Sequence, residues 1–263
     1  MSLFQLELLG GPWSRRLAAR HAGLDVDWAA LAREATPALV PAAREVWTKS
    51  AFSEYASGAS FAAIAAALLE AKAPIDLVAA AGEFVADEMF HAELASRVAM
   101  ALGGAVPLQA DLSRLVRPAR AGRPLMRAAE LIVRTACVGE ALTVPMLNQS
   151  RRAAGSKGIE AVITRILRDE SQHAQLGWWF LDWAELSGDE RAALGRLAGE
   201  TLRAFSVVFQ QECRLEAGLG QLDCARFDGV FLQAVRDEVV GPLGERGIEV
   251  PLSDVEVLVA AAA

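Results

Sequence analysis

Two copies of one five-residue pattern, Asp-Glu-x-x-His, constrain the fold of this chain more than any other feature. Each copy lies inside a long stretch whose apolar residues recur at helical spacing. Residues three apart share one face of a helix, so the Glu and the His of each copy lie side by side. Each pair could hold a metal ion with one carboxylate and one imidazole. The four residues concerned are Glu88, His91, Glu170 and His173.

Helical periodicity continues over most of the chain, and alternating strand-like patterns are almost absent. We therefore predict an all-α fold. Breaks at Ala73-Pro74 and Gly103-Gly104 separate the periodic stretches, and a proline-containing and arginine-rich connection covers residues 105–123. The predicted helices span residues 41–71, 75–102, 125–152, 159–186, 190–217 and 225–240.

Composition limits the classes of function that fit the chain. With 263 residues and 53% hydrophobic content, it can bury a large core. The net charge of -7, without a stripe of Lys or Arg, makes nucleic acid or an anionic membrane an unexpected partner. The longest apolar run, residues 61–69, is shorter than the roughly 20 residues of a membrane span.

The chain ends and the cysteines give a further expectation about the compartment. The N-terminus has neither a basic region nor a continuous apolar segment of the kind that directs export. None of the three cysteines forms a C-x-x-C pair, which predicts reduced thiols rather than a disulfide framework. We therefore expect a soluble cytoplasmic protein. The cysteines are Cys137, Cys213 and Cys224.

Two isolated glutamates complete the pattern. Glu54 lies nearly as far before the break at Lys72 as Glu88 lies after it, so an antiparallel pair of helices brings them to one level. Glu140 and Glu170 lie equally far from Gly155, in the turn between their helices, and match in the same way. Two helix pairs would thus bring four carboxylates and two imidazoles together.

This set, with one lone Glu and one Glu-x-x-His block in each helix pair, resembles the ligand set of the ferritin-like di-iron carboxylate superfamily. The resemblance covers residues 41–186 and implies a four-helix bundle with one long crossover after its second helix. It implies two iron ions, or manganese in place of one or both, since oxygen-rich donors with one nitrogen per metal suit these ions. The expected ligands are Glu54, Glu88, His91, Glu140, Glu170 and His173.

The same resemblance predicts an outer pair of residues and a domain organisation. By similarity to soluble methane monooxygenase hydroxylases and acyl-carrier-protein desaturases, Asp87 would hold His173, and Asp169 would hold His91. Residues 1–40 would form an N-terminal arm or short helix. Residues 187–263 would add C-terminal helices packed on the same domain.

Departures from particular subfamilies narrow the expected activity. Ribonucleotide reductase small subunits carry a radical tyrosine where this chain has Ala95, rubrerythrins usually add a C-x-x-C domain, and arylamine oxygenases use a further histidine. The additional arm, crossover and helices resemble oxygenases and oxidases more than bacterioferritin. We expect O₂-dependent oxidation of a small organic substrate by hydroxylation, N-oxidation or desaturation, with an unidentified electron donor. Ferroxidase or iron-handling activity and rubrerythrin-like peroxidase activity are the alternatives, and a homodimer is compatible with the sequence.

Small or apolar neighbours of the lone glutamates are candidates for a substrate pocket. Thr143, three residues after Glu140, is also a candidate proton relay, although monooxygenases place this threonine one residue later. Pro145 interrupts the third helix near Glu140, which indicates either a kink beside the metals or a helix that weakens towards its end. The pocket candidates are Ser57, Gly58, Phe84, Cys137, Thr143 and Val144.

Overall fold

Helices make up almost all of the regular structure in the computed structural model, which describes residues 1–251. The predicted all-α bundle is confirmed. The end of the predicted C-terminal region, 252–263, lies outside the described residues. The elements, in chain order, are β1 (Ser2–Leu3), α1 (Gly11–Ala19), α2 (Trp28–Glu34), α3 (Val40–Glu70), α4 (Ile75–Ala101), β2 (Gln109–Ala110), a 3₁₀ turn (Leu112–Arg114), α5 (Pro124–Ile132), a π-helical segment (Val133–Glu140), α6 (Ala141–Arg152), α7 (Lys157–Trp183), α8 (Gly188–Glu212), α9 (Cys224–Ala234), a second π-helical segment (Val235–Val240) and α10 (Gly241–Glu245).

Helices α3 and α4 form an antiparallel pair joined by a short turn. Lys72 adopts a left-handed φ of 55° in that turn, and Pro74 then precedes the first residue of α4. Gly58 allows the two helices to approach closely. A Cβ at this position would lie 2.5 Å from Met89 Cε and 3.2 Å from Glu88 Cβ.

The third long helix is continuous from Pro124 to Arg152 but changes its winding in the middle. Residues 133–140 form the π-helical segment, which ends at Glu140. Pro145 lies inside α6, and the helix continues beyond it to Arg152, which disfavours the alternative that the helix weakens towards its end. The irregularity lies before the proline, in the wider turns that carry Glu140.

Capping residues account for the starts of the next two helices. The Ser156 hydroxyl accepts a 3.2 Å hydrogen bond from the Gly158 N–H at the start of α7. Ser187 and Glu190 form a reciprocal capping box at the start of α8. Helix α8 ends at Glu212, earlier than predicted, because the chain turns there towards α9.

A disulfide joins Cys213 and Cys224 at this turn, so the prediction of three reduced thiols is wrong. The sequence spacing gave no such signal, because the pairing depends on how the segment between α8 and α9 folds back. The Arg214 N–H donates to the Leu222 carbonyl at 2.8 Å, and the Cys224 N–H donates to the Arg214 carbonyl at 3.1 Å. These bonds bring the two cysteine Cα atoms to 4.9 Å.

The N-terminal arm contains two short helices, where the sequence predicted one at most. Its first residues pair with the crossover, Ser2 with Ala110 and Leu3 with Gln109. Phe4 packs edge-on against Phe52 of α3. The arm is thereby attached to the bundle at the crossover and at α3.

The apolar core consists of two clusters that lie at different levels of the bundle. One cluster contains Phe61, Phe84 and Phe180, and the other contains Trp47 and Phe90. Glu54, Glu88 and Glu170 lie between the two clusters along α3, α4 and α7, whereas on the third long helix the first cluster continues past Glu140 to Met146.

Among the described helices, α3 alone is long and apolar enough to cross a membrane by length and composition. Core helices of water-soluble proteins meet the same criterion. Helix α3 packs along α4. Glu54, in the middle of α3, lies close to the side chains of Glu88, His91 and Glu170 inside the bundle. This packing is compatible with a soluble protein.

Candidate metal centre

The structure brings all six predicted ligands together in the middle of the bundle. Their side-chain ligand atoms form two groups, and within each group these atoms lie within 4.8 Å of one another. Glu88 and Glu170 belong to both groups. The first group is Glu54, Glu88, His91 and Glu170, and the second is Glu88, Glu140, Glu170 and His173.

Both imidazoles turn the same nitrogen, Nδ1, towards the carboxylates. His91 Nδ1 lies 3.0 Å from Glu170 Oε1 and 3.8 Å from Glu54 Oε2. His173 Nδ1 lies 2.9 Å from Glu88 Oε1 and 3.2 Å from Glu170 Oε2. The two ring centroids are 5.8 Å apart. Each histidine therefore approaches the glutamates that the two groups share.

The cluster is buried but incompletely hydrogen-bonded. Glu88, His91 and His173 are fully buried, and Glu170 is 1% exposed. Nevertheless, both oxygens of Glu88, Nδ1 of His91 and Oε1 of Glu170 have no hydrogen-bond partner. The short distances between these atoms lack hydrogen-bond geometry, so the atoms converge without pairing. Buried polar atoms are normally satisfied, and a bound cation would satisfy these.

The pKa values of the cluster glutamates are shifted because four carboxylates are buried close to one another. Burial, and then the charges of Glu88 and Glu170, raises the pKa of both Glu54 and Glu140 well above its ordinary value. Burial would also raise the pKa of Glu170, but its contacts with His173 and His91 outweigh this effect and lower it. Protons on the cluster thus supply part of the missing positive charge.

Neighbouring carboxylates also shift the pKa values of the two histidines. Burial alone would lower the pKa of His173, but Asp87, Glu170 and Glu88 outweigh it and raise the pKa to about 12. In the same way, burial opposes but Asp169, Glu170 and Glu88 raise the pKa of His91 well above its ordinary value. The surrounding carboxylates thus favour the protonated form of both rings.

Asp87 and Asp169 lie behind the histidines in the crosswise arrangement. Asp169 Oδ2 is 3.1 Å from His91 Nε2 and forms a hydrogen bond with it. Asp87 Oδ2 is 3.5 Å from His173 Nε2, an ion-pair contact without hydrogen-bond geometry. An imidazole that keeps its proton on Nε2 is left with Nδ1 free to bind a metal.

Each of these aspartates is in turn held by an arginine that was not identified in the sequence. Arg165 hydrogen-bonds Asp169 from one turn earlier in α7, a spacing that could have revealed it. The corresponding position before Asp87 is occupied by Glu83. There the arginine is Arg20, from the N-terminal arm, which hydrogen-bonds Asp87 and reaches Glu83 at 2.7 Å.

A cavity of about 450 Å³ adjoins the cluster at Glu54 and Glu140. Helix α3, the π-helical segment with α6, and α8 provide its walls, and the crossover contributes residues 115–117. The other four cluster residues do not line it. Helix α8 lies outside the predicted four-helix set, so its contribution, which includes Thr201, Phe205 and Phe209, was missed in the sequence.

Of the six pocket candidates, Ser57 and Thr143 line this cavity and the other four do not. The Ser57 hydroxyl donates to Glu140 Oε1 at 2.8 Å. The Thr143 hydroxyl donates to the Gly139 carbonyl at 3.0 Å, within its own helix. Thr143 is thus not bonded to the carboxylates, which removes the geometric support for a proton relay.

The remaining four pocket candidates lie outside the cavity lining, and three of them pack between helices. Gly58 faces Met89, and Phe84 packs against the His173 ring at a centroid distance of 4.3 Å. Cys137 is fully buried at the close approach to Gly177, and burial raises the pKa of its thiol. Val144 lies half-buried on α6, outside the cavity lining.

Comparison of the chain with protein-family models, with curated proteins and with solved structures found no match. What the site can do therefore has to be inferred from its residues and their geometry. A buried Glu and His cluster that could hold metal is present within the described helical bundle.

Proposed function

We propose that this protein is a ferritin-like di-iron oxygenase or oxidase that uses O₂ to oxidise a small organic substrate. One observation carries the proposal: a buried cluster of four glutamates and two histidines lies beside a cavity of about 450 Å³. The cluster fits two metal ions, and the cavity has the size of an enclosed site for a small molecule. Such a cavity beside the cluster favours oxidation of an organic molecule over iron handling.

The grouping of the side chains suggests how each would act. Glu54 with His91 would hold one metal, and Glu140 with His173 would hold the other. Glu88 and Glu170, which belong to both groups, would contribute to holding both ions. Four carboxylates neutralise two divalent ions, and the oxygen-rich donor set favours iron or manganese over softer metals. When bound, a di-iron pair supplies the reduction of O₂ and the oxidising power for attack on a C–H or N–H bond.

The surrounding residues orient the ligands and exclude water from one side. The Asp169 hydrogen bond fixes the His91 ring, and Asp87 faces the corresponding nitrogen of His173. Phe84 and Phe61 pack against the His173 ring at 4.3 and 5.2 Å. Substrate would approach from the opposite side, where Glu54 and Glu140 face the cavity.

The order of helices supports the ferritin-like topology within this proposal. Two antiparallel helix pairs, α3 with α4 and the α5-to-α6 helix with α7, are joined by the long crossover of residues 102–123. Reduction of the site requires an electron donor, which we propose is a separate protein. A homodimer remains a prediction, and so does a cytoplasmic location, although the disulfide removes the part of its support that came from reduced thiols.

Metal loading under controlled O₂ tests the proposal. Anaerobic titration of the full chain with Fe(II) should saturate near two ions, and O₂ should then be consumed in proportion to protein. Glu170→Gln should lose this binding, whereas Glu160→Gln, an exposed glutamate on the same helix, should retain it.

Three outcomes would contradict the oxygenase proposal. Aerobic retention of many iron ions per chain would indicate iron storage. Rapid consumption of peroxide, with slow consumption of O₂, would indicate a peroxidase. Failure to bind iron or manganese, with thermal stability unchanged by Glu88→Ala, would indicate a metal-free helical protein.

A further inference from the structure

Arg134 lies on the cavity wall with part of its guanidinium unsatisfied. It belongs to the π-helical segment, and its side chain is half-buried. Nε donates to the Glu130 carbonyl at 3.2 Å, and Nη1 donates to the Pro118 carbonyl at 3.4 Å. Nη2 is buried and has no hydrogen-bond partner. A buried charged donor without an acceptor costs free energy, so this group calls for an anion.

The charges near Arg134 comprise one carboxylate, Glu130, and two further arginines, Arg117 and Arg120. Burial lowers the pKa of Arg134, Glu130 raises it, and the charges of Arg117 and Arg120 lower it further. Among the described residues, no ion pair joins a carboxylate to Arg134 or Arg117, and both arginines line the cavity, Arg117 with an exposed side chain. A guanidinium keeps its proton under such conditions, so the positive charge stays.

The direction of the helices places this charge at one end of the cavity. Along α3 the lining runs from Val46 to Ser60, about 20 Å of helix. The α5-to-α6 helix runs antiparallel to α3, because Arg127 hydrogen-bonds Glu70 whereas Glu140 meets Ser57. Arg134, between Arg127 and Glu140, therefore lies towards the Ser60 end. The helix rises by at most about 9 Å from Arg134 to Glu140.

Beyond the charged end, the cavity is suited to an apolar body. Phe205, Val208 and Phe209 of α8 face it, as do Met146 and Leu147 of α6. A volume of about 450 Å³ accommodates roughly 15 groups of the size of a water molecule or methylene. Glu212 lines the cavity too, but it follows Phe209 on α8 and has Lys49 and Arg214 as nearby cations.

We infer that the substrate is an amphipathic organic anion whose carboxylate or phosphate binds Arg134 and Arg117, while its apolar body passes Glu54 and Glu140. This inference rests on the proposed function in taking the cavity as the substrate site. The oxidised position then lies several bonds from the anionic group. A neutral hydrocarbon or alcohol of the same length would leave Arg134 without a partner.

Binding of three probes with equal chain length tests the inference: decanoate, decyl phosphate and 1-decanol. Calorimetric titration uses the full chain without metal and without turnover, so its outcome is independent of the iron-loading test. The anions should bind at least about tenfold more tightly than decanol. The tighter of the two anions identifies the head group as carboxylate or phosphate.

Variants assign the preference to Arg134. Arg134→Met should abolish the anion preference and leave decanol binding within about twofold. Arg114→Met changes an exposed arginine that belongs to the crossover, as Arg117 does, but does not line the cavity, and it should retain the preference. If Arg134→Met does not fold, Arg134→Lys keeps the charge without the planar fork and should show a reduced preference.

Two results would overturn the inference. One is that neither anion binds the wild-type chain more tightly than decanol, which includes the case in which none of the three probes binds. The other is that the anion preference persists in full in Arg134→Met, or in Arg134→Lys if only that variant folds.

Discussion

Ser57 on α3 donates a hydrogen bond of 2.8 Å to Glu140 at the end of the π-helical segment. The bond lies on the side of the candidate metal centre that faces the cavity. This bond fixes one of the two glutamates that face the cavity. Because such supporting contacts orient metal ligands, Ser57→Ala should weaken binding of the second metal by about tenfold. Competition with a chelator measures the effect.

Ser60→Ala is the matched control for Ser57→Ala. Ser60 lines the same cavity from the same helix, but its hydroxyl bonds the Ala56 carbonyl at 3.1 Å. Equal losses of metal affinity in the two variants would argue against a specific role for the Ser57 bond.

Removal of Asp169 should affect the metal centre without removing a ligand. Asp169→Ala takes away the hydrogen bond at His91 Nε2, and metal affinity should fall by about 10- to 100-fold. Asp182→Ala changes an exposed aspartate on the same helix, bonded to Arg246, and should leave metal affinity unchanged. Metal affinity of Asp169→Ala equal to that of the wild type would show that His91 is positioned by other contacts.

Metal binding should release protons and strengthen as pH rises. The raised pKa values of His91, His173, Glu54 and Glu140 mean that the metal-free cluster retains protons that a metal must displace. Affinity should therefore rise roughly tenfold per pH unit for each proton released. Calorimetry in buffers of different ionisation enthalpy counts these protons. An affinity that stays constant between about pH 6 and about pH 8 contradicts this expectation.

Reduction of the Cys213–Cys224 disulfide should lower stability by about 3 kcal/mol, since the bond closes a loop with a sequence separation of 11. The expected decrease in Tm is roughly 5–10 °C. A Cys213→Ser and Cys224→Ser double variant should already have the lower Tm and should not respond to reductant. If reductant lowers its Tm equally, the effect does not come from this bond.

Two glycine substitutions probe the close approach of α3 and α4. Gly58→Ala places a methyl group against Met89 and Glu88 and should cost about 1–3 kcal/mol of unfolding free energy. Gly82→Ala, on α4 with no atom within 4 Å of the added carbon, should stabilise the protein by up to about 1 kcal/mol. Urea unfolding of both variants measures the contrast. A Gly58→Ala variant as stable as the wild type would mean that Met89 moves aside at little cost.

Local patterns in the sequence were sufficient for the all-α fold and for the level at which four glutamates meet. Helical periodicity and residue counts around two turns are short-range features, and the four long helices follow them. The position of Glu54 opposite Glu88 depends only on the length of the two helices and the turn near Lys72.

Features that depend on distant parts of the chain could not be read in this way. Arg20 reaches Asp87 from 67 residues away, and α8 completes a cavity that begins on α3. The π-helical turns at Val133–Glu140 depend on packing around the helix, and the disulfide depends on the folding of one connection. In each case, no periodic pattern in the sequence indicates the contact that determines the structure.

The separation of the core into two apolar clusters has a consequence for how the chain unfolds. Without metal, the layer between the clusters contains buried carboxylates and incompletely bonded polar atoms, which contribute little cohesion. We therefore expect the two ends of the bundle to be less strongly coupled without metal and to open separately. Amide hydrogen exchange should report two protection classes in the metal-free chain and a single cooperative unit after loading.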